Sequence, residues 1–256
     1  MTRRKMLPIL SILTVLSSLP VLHAADALPT PEAIMDRYIE VTGGKAAYAK
    51  RTSEIMTGTL DFAAQGIKGK IQRYSAEPDK YYATLDITGI GAIEMGVADG
   101  VAWEKSAIMG PRIKSGDEKA QALREASLNA SLNWRKHFPK AEVQGMETID
   151  GDECYKVVLT PPDGHAQTMY FSKKSGLALK TTMVATSQLG EVPVSVTVSD
   201  YKNFNGVLVP SKTTQKAAGQ EFTITVESVQ LNPEIPAERF ALPAEIKALA
   251  AKGAAK

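Results

Sequence analysis

The chain has 256 residues and a nearly balanced charge, with 30 Lys and Arg against 28 Asp and Glu. This balance lacks the basic surplus that nucleic-acid-binding domains carry, so the composition speaks against a nucleic-acid partner. Cys154 is the single cysteine, which excludes an intrachain disulfide and leaves packing to hold the fold.

The first 24 residues have the layout of a secretory signal peptide. Basic residues at positions 3–5 precede an apolar run from Met6 to Leu22, and a small-residue cleavage site follows at Ala24. An uncleaved membrane anchor is the competing interpretation, although the run is near the short limit for a span and contains Pro20. We expect cleavage and export from the cytoplasm. Removing three positive charges lowers Lys and Arg from 30 to 27 against 28 Asp and Glu, a net charge of about −1.

A helix over residues 31–42 opens the predicted mature chain. Thr30 is a favoured N-cap residue and Pro31 suits the first helical position. Ile34, Tyr38 and Val41 recur on one side, which indicates an amphipathic helix. Glycines at positions 43 and 44 end it, and a short helical turn is expected over 46–50.

From Ile55 onward apolar and polar residues alternate with a period of two, which is typical of half-buried antiparallel strands. No helix separates consecutive strands as a parallel sheet would require. The pattern therefore predicts a mainly β (α+β) fold with ten or eleven antiparallel strands. These lie at 55–62, 67–72, 81–87, 93–97, 101–104, 154–160, 167–171, 177–184, 192–198, 207–214 and 222–227.

One amphipathic helix over 117–136 is expected to interrupt this series, capped by Ser115 or Asp117. The series has no clean boundary, so we expect one domain over residues 25–243. An Ala/Lys-rich tail over 244–256 is expected to be a frayed helix or flexible.

Signatures of catalysis are missing from the sequence. His137 and His165 stand alone, without the second histidine of a zinc site, and no phosphate-binding loop or serine elbow occurs. Glu54, Asp61, Asp86 and Glu227 are assigned to solvated strand faces, although a carboxylate pair assembled in space stays open. We expect no enzymatic activity, no metal and no cofactor.

The strand face that the alternation predicts to be apolar carries many flexible side chains. Methionine among them adapts well to irregular apolar shapes. Two interpretations stay open: a filled core under the helices, or a sheet curved around an apolar cavity. Arg73 falls on the same strand face. It marks either the end of its strand or a bulge, or else a buried cation that holds a ligand head group or a lid. The candidate ligand-binding residues are Met56, Leu60, Phe62, Arg73, Leu85, Met95, Met169, Phe171 and Phe222.

Several short motifs, in this order, resemble the outer-membrane lipoprotein-sorting protein family, the LolA/LolB-like periplasmic carriers, and its broad, poorly characterised branch in particular. The motifs are turns and strand ends spread over nearly all of the predicted mature chain. They lie at 38–45 (YIEVTGGK), 57–59 (TGT), 99–103 (DGVAW), 147–157 (ETIDGDECYKV), 170–171 with 175–177, 199–201 (SDY), 206–210 (GVLVP), and 232–236 (NPEIP) with Phe240 and Pro243.

This resemblance implies an incomplete antiparallel β-barrel wrapped around lid helices. It implies a periplasmic carrier whose concave apolar side holds acyl chains of lipids or lipoproteins between an inner-membrane donor and an outer-membrane acceptor protein, with only transient membrane contact. A similar fold also occurs in envelope-stress regulators that bind a partner protein. A protein-binding sensor or assembly factor without lipid cargo is therefore the alternative.

Overall fold

The structure is a computed structural model that describes residues 27–187 and 190–254. The predicted signal peptide over residues 1–24 lies outside the described residues. Within these residues, no helix is long and apolar enough to cross a membrane.

Thirteen antiparallel strands of the described residues form one sheet. They are β1 (Ser53–Phe62), β2 (Ile67–Ala76), β3 (Lys80–Ile87), β4 (Gly91–Ala98), β5 (Val101–Ser106), β6 (Gly110–Ile113), β7 (Lys140–Ile149), β8 (Asp152–Thr160), β9 (Gln167–Ser172), β10 (Ala178–Ser187), β11 (Gly190–Phe204), β12 (Val207–Ala217) and β13 (Gln220–Leu231). Their order across the sheet is β6-β5-β4-β3-β2-β1-β13-β12-β11-β10-β9-β8-β7. The first strand therefore lies in the middle of the sheet, and the next five run outward to the β6 edge. The chain then crosses to the β7 edge through residues 114–139 and returns strand by strand until β13 pairs with β1.

The helices occupy the N-terminal segment, the crossover and the C-terminal segment. They are α1 (Pro31–Val41), α2 (Lys45–Ala49), α3 (Gly116–Ala126), α4 (Trp134–His137) and α5 (Ala244–Ala254), with 3-10 turns at Ala63–Gln65 and Ala237–Phe240. The predicted first helix is confirmed, and its cap is as expected, since the Ala33 amide donates to Thr30 Oγ1 at 3.2 Å. The short helical turn that follows it, α2, is confirmed as well.

The sheet curves around α3. This helix contacts β4 and β5 on one side and β10 on the other, and β5 and β10 are eight strand steps apart in the sheet order. In a flat sheet eight steps span roughly 38 Å, whereas an eleven-residue helix is only about 16 Å long. The sheet must therefore curl around the helix, and the predicted mainly β fold, an incomplete antiparallel barrel around helices, is confirmed.

The two strands beyond the predicted ten or eleven are the sheet edges, β6 and β7. β6 has four residues and contains Pro111, a residue that is tolerated at a sheet edge but weakens a strand prediction. In β7 the register shifts between Val143 and Gly145, so the apolar period of two is interrupted. Short or irregular edges give weak sequence patterns, which explains the lower predicted count.

The single helix expected over 117–136 is wrong in its second half. α3 ends at Ala126, and turns separate it from the four-residue α4. Asn129, only 4% exposed, lies in this break and its Nδ2 donates to Arg51 O at 2.9 Å and to Glu77 Oε1 at 2.6 Å. Asparagine competes with helical hydrogen bonding in this manner, so tertiary contacts override the helical periodicity here.

The Ala/Lys-rich C-terminal segment contains α5, which contacts β6. Ile246 is fully buried, and Lys105 Nζ donates to Glu245 Oε1 at 3.0 Å. These contacts hold the first turn of α5 against the edge of the sheet. The flexibility of the remaining tail stays a prediction.

Candidate functional site: the concave face

The concave face of the sheet is the face that carries Met56 and Leu60 of β1. Directly opposite residues of antiparallel strands share a face, and this places Arg73 beside Met56, and Ile71 beside Gly58. The same register continues outward to β4 and inward through β13 to β10. All nine predicted ligand residues belong to strands of this sheet.

Helices cover the two flanks of the concave face. On one flank α1 and the residues around α4 pack over β7–β10 in a cluster that includes Ile39, Trp134, Val157 and Phe171. On the other flank Ala126 of α3 packs on Val97 and Ala102. These flanks are filled core.

The middle of the concave face is an apolar cluster, here called the central cluster, and all its members lie on strands. Its buried members are Met56, Leu60, Ile71, Val226 and Val229. Around them lie apolar side chains that are only half-buried, and the rings of Phe62 and Phe222 among them are 5.1 Å apart. Half-buried aromatic and aliphatic side chains on a curved sheet form the kind of surface that an apolar ligand covers.

The structure brings five of the nine predicted residues into the central cluster: Met56, Leu60, Phe62, Leu85 and Phe222. Met169 and Phe171 lie apart from them in the flank under α1. Met95 lies on the concave side of β4, where it pairs with Ala83 and Glu104 and is half-buried. A ligand-binding role for these residues stays a prediction, and the strongest grouping is the central cluster.

Arg73 is neither at a strand end nor in a bulge, because β2 pairs with β1 without a register shift from Ala76 to Ile67. Its Nη2 donates to Glu54 Oε1 at 2.6 Å. Burial is the largest single effect on the pKa of Arg73 and lowers it, but the adjacent Glu54 carboxylate together with Tyr81 outweighs burial, so the pKa is raised. Arg73 is thus a cation on the concave face whose partner is a carboxylate of the neighbouring strand.

The assignment of Glu54 to a solvated face is wrong. Glu54 is 2% exposed, and besides Arg73 it meets Arg51, whose Nη2 lies 3.4 Å from Glu54 Oε2. Arg51 also donates to Leu128 O at 2.8 Å, in the segment that follows α3. A buried carboxylate needs such partners, so these three side chains join β1, β2 and the crossover. Glu54 is two residues before Met56 in β1 and therefore faces the same side of the sheet. That position in the alternation was the sequence signal for its burial.

Buried hydroxyl groups surround α1 and α2 nearby. The Tyr48 hydroxyl lies 2.8 Å from Thr42 Oγ1, and the Tyr201 hydroxyl donates to Ala178 O at 2.7 Å. Burial raises the pKa of both tyrosines, with a further increase at Tyr201 from Tyr38. The Tyr201 hydroxyl is thus a hydrogen-bond donor to the backbone, and the Thr42 and Tyr48 hydroxyls share one hydrogen bond. Neither tyrosine was singled out from the sequence.

Two pockets lie beside α3 on the concave side, where it meets β10. Their volumes are about 170 Å³ and about 300 Å³. Gln121, Glu125 and Thr186 line both pockets, so the pair follows the contact between α3 and the sheet. A third pocket, of about 230 Å³, lies beside α1 and includes Phe171 in its lining.

The described residues define a class of fold: an open, curved antiparallel sheet whose concave face holds helices. Solved structures share this fold. A DUF1329 family protein from Desulfovibrio piger superposes with a TM-score of 0.56 at 13% identity, over 82% of this chain and 96% of that chain. A LolA superfamily protein from Nitrosomonas europaea superposes with a TM-score of 0.54 at 12% identity, over 84% of this chain and 99% of that chain.

These likenesses concern the fold, and the chain has the LolA-like fold that the sequence motifs predict. No protein-family model and no curated protein matches the sequence.

Proposed function

We propose that the protein is a periplasmic carrier that holds acyl chains of lipids or lipidated proteins on its concave face and delivers them towards the outer membrane. The observation that carries the proposal is the central cluster, where Phe62, Leu85 and Phe222 stay half-buried on a curved sheet. Contiguous apolar side chains that stay partly exposed on one face are typical of a binding surface. The predicted signal peptide supports export, and the LolA-like fold supports a carrier.

The free energy of moving an acyl chain from water to the apolar face determines how the carrier must release it. Burying one methylene group contributes roughly 0.8 kcal/mol, so a twelve-carbon chain gains up to roughly 9 kcal/mol before binding costs are subtracted. Release into water would forfeit this gain. The carrier therefore needs a donor and an acceptor protein or membrane that offers comparable burial.

α3 serves as the lid in this proposal. Arg112 of β6 donates to both carboxylate oxygens of Glu118 in α3, at 2.6 and 2.7 Å, and also to Glu104 of β5 at 3.1 Å. Near the other end of α3, Arg124 pairs with Asp163. Polar pairs at both ends hold α3 over the concave face, and its buried apolar contact with the sheet is the small cluster of Ala126 with Val97 and Ala102, so lifting α3 exposes a limited apolar surface.

Exposed apolar side chains support transient membrane contact. Ile108, 77% exposed, and Met109 lie on the β5–β6 turn, and Ile90 lies on the β3–β4 turn. Both turns are at the same end of the sheet, since a Cβ placed on Gly91 would lie 4.0 Å from the Cβ of Ala107. Adjacent exposed apolar turns are typical of surfaces that meet a membrane or another protein.

One observation favours the alternative, a protein-binding sensor or assembly factor. β7 is a ten-residue edge strand that carries the exposed Met146. A long edge with free backbone groups is able to accept a strand from a partner protein. In that case the central cluster would act only as core.

Charge placed in the central cluster separates the two functions. Phe62→Glu puts a carboxylate where the acyl chain would lie, and since an unpaired charge in apolar surroundings costs several kcal/mol, ligand affinity should fall roughly tenfold or more. Thr225→Glu, at an exposed position on the opposite face of β13, is the matched control and should bind normally. Affinity is read from displacement of N-phenyl-1-naphthylamine by acyl ligands, with circular dichroism to confirm folding. Unchanged binding by folded Phe62→Glu would remove the central cluster from the site.

A further inference from the structure

The smaller of the two pockets beside α3, here called the lid pocket, has a mostly apolar lining that contains several polar side chains. It is bounded by α3, by the crossover residues His137 and Phe138, by the β8–β9 turn and by Met183 of β10. Its volume of about 170 Å³ is close to the 150 Å³ of an engineered cavity that binds benzene. It therefore fits a head group or a short chain segment rather than a whole lipid.

The lid pocket has unused hydrogen-bonding capacity. His137 Nε2 is buried and has no hydrogen-bond partner among the described residues. Gln121 Nε2 donates to Glu125 at 2.8 Å and to the sulfur of Met183 at 3.7 Å, and a thioether is a weak acceptor. Buried polar groups are normally satisfied, so the pocket offers polar contacts that the protein alone leaves unused.

The charges around the lid pocket disfavour an anion. Asp117 and Glu125 are acidic, and Arg124, the one Lys or Arg among the described lining residues, already pairs with Asp163. His165 at the turn lies 2.9 Å from Glu191. A phosphate or carboxylate would meet four nearby carboxylates and a guanidinium that is already neutralised.

The surroundings of His137 favour the neutral form of its imidazole. Burial lowers the pKa of His137, and the neighbouring Lys136 lowers it further. A neutral imidazole has one N–H donor and one acceptor nitrogen, so the unpaired Nε2 of His137 can meet a hydroxyl group in either tautomer. The carboxylates of Asp117 and Glu125 only accept hydrogen bonds, so a complementary ligand supplies donors and carries no negative charge.

A continuous concave surface leads from the lid pocket to the central cluster. Met183 pairs with Val194 of β11, and Val194 pairs with Ala217 of β12, which is two residues along β12 from the Gln215 that pairs with Phe222 of β13. β10 and β13 are three strand steps apart, a distance of roughly 14 Å. An acyl chain that starts in the lid pocket therefore reaches the half-buried ring of Phe222, which packs against Phe62.

We propose that the lid pocket binds a head group that donates hydrogen bonds and bears no negative charge, a hydroxyl or an ammonium group, while the attached acyl chain runs along the concave face to the central cluster. This inference rests on the proposed carrier function and adds the ligand class. It also gives α3 a second role, because Gln121 couples the head group to the lid.

The test compares four ligands with the same twelve-carbon chain on the whole protein: 1-dodecanoylglycerol, dodecylamine, dodecanoate and dodecyl phosphate. Affinities come from displacement of N-phenyl-1-naphthylamine below the aggregation limit of each ligand. We expect the glycerol ester, the amine or both to bind at least tenfold more tightly than the two anions. His137→Phe, which keeps a ring but no polar atom, and Gln121→Leu should each reduce that preference severalfold, whereas Gln230→Leu, on an exposed position of β13, should not.

The outcomes separate the inference from the proposed function. Equal affinity for all four ligands, tighter binding of the anions, or an unchanged preference in both folded pocket variants would overturn the lid-pocket assignment while leaving the carrier function standing. Failure of every ligand to displace the probe would overturn the carrier function and this inference with it. If His137→Phe fails to fold, Gln121→Leu decides alone.

Discussion

Replacing Glu54 with alanine removes the carboxylate that two guanidinium groups share. Arg73 loses a hydrogen bond of 2.6 Å and Arg51 loses an ion pair at 3.4 Å. Both Nε atoms of these arginines are buried and already lack partners among the described residues. The variant therefore leaves two cations on the concave face with less compensation than either has now.

The expected destabilisation follows from the burial of each partner. Breaking a buried ion pair by removing one member costs about 3 to 5 kcal/mol. The Arg73 side chain keeps 34% of its exposure and Arg51 keeps 13%, so water partly replaces the lost carboxylate and the lower end, about 3 kcal/mol, is expected. Equilibrium unfolding in urea measures the loss of unfolding free energy. An unchanged m-value checks that Glu54→Ala and the unaltered protein expose the same surface on unfolding.

Glu227→Ala is the matched control, since Glu227 is an exposed carboxylate on β13, and it should change stability by less than about 0.5 kcal/mol. The double variant Glu54→Leu with Arg73→Met should recover part of the loss, because an apolar pair avoids the desolvation of those two charges while Arg51 still lacks its carboxylate. A loss for Glu54→Ala no larger than that for Glu227→Ala would refute the buried ion cluster.

Three further outcomes are expected. Gly96→Ala should destabilise the protein by about 1 to 3 kcal/mol in urea unfolding, because the new Cβ would lie 2.7 Å from Nε1 of the buried Trp103 indole; a neutral effect would contradict this packing. The pKa of Glu118 is lowered from 4.5, chiefly by the hydrogen bond from Arg112, so its contribution to stability is present above that value and is lost as the pH falls through the depressed pKa. Amide-exchange protection of α3 should therefore drop in acid, and Arg112→Gln should weaken that dependence, with Lys114 as the remaining cation beside Glu118. An identical pH profile in the variant would contradict the role of the Arg112–Glu118 pair. Ile108→Ser should reduce severalfold the fraction of protein that sediments with lipid vesicles. Ser187→Ala, at the neighbouring end of β10, should leave that fraction unchanged. Equal sedimentation of both variants would remove the β5–β6 turn from the contact surface.

Local signals predicted α1 and the long strands correctly. Thr30 and Pro31 carry capping information that acts within one helical turn, and the alternation in β1 and β13 reflects one wet and one apolar face. The two edge strands were not predicted, because β6 has only four residues and contains Pro111, and β7 has a register shift. Neither strand shows a sustained alternation of apolar and polar residues. Their pairing depends on neighbours that are distant in sequence.

The grouping of the candidate residues was predicted in part, and their role in binding stays a prediction. Alternation placed Met56, Leu60 and Phe62 on one face, and the structure groups them with Leu85 and Phe222. Alternation alone says nothing of which part of that face a helix covers, so Met169 and Phe171 were grouped with them although α1 packs there. The break at Asn129 and the ion pairs of Glu54 arise from contacts between β1, β2 and the crossover, which no single window of sequence contains.

The most direct test of the carrier function is native mass spectrometry with lipid extraction on the mature protein, purified from a periplasmic fraction without detergent. We predict a co-purifying acyl-bearing species that Phe62→Glu loses and Thr225→Glu retains. A clean apo mass that stays unchanged after incubation with native membranes would contradict the carrier function and favour a protein partner at the β7 edge.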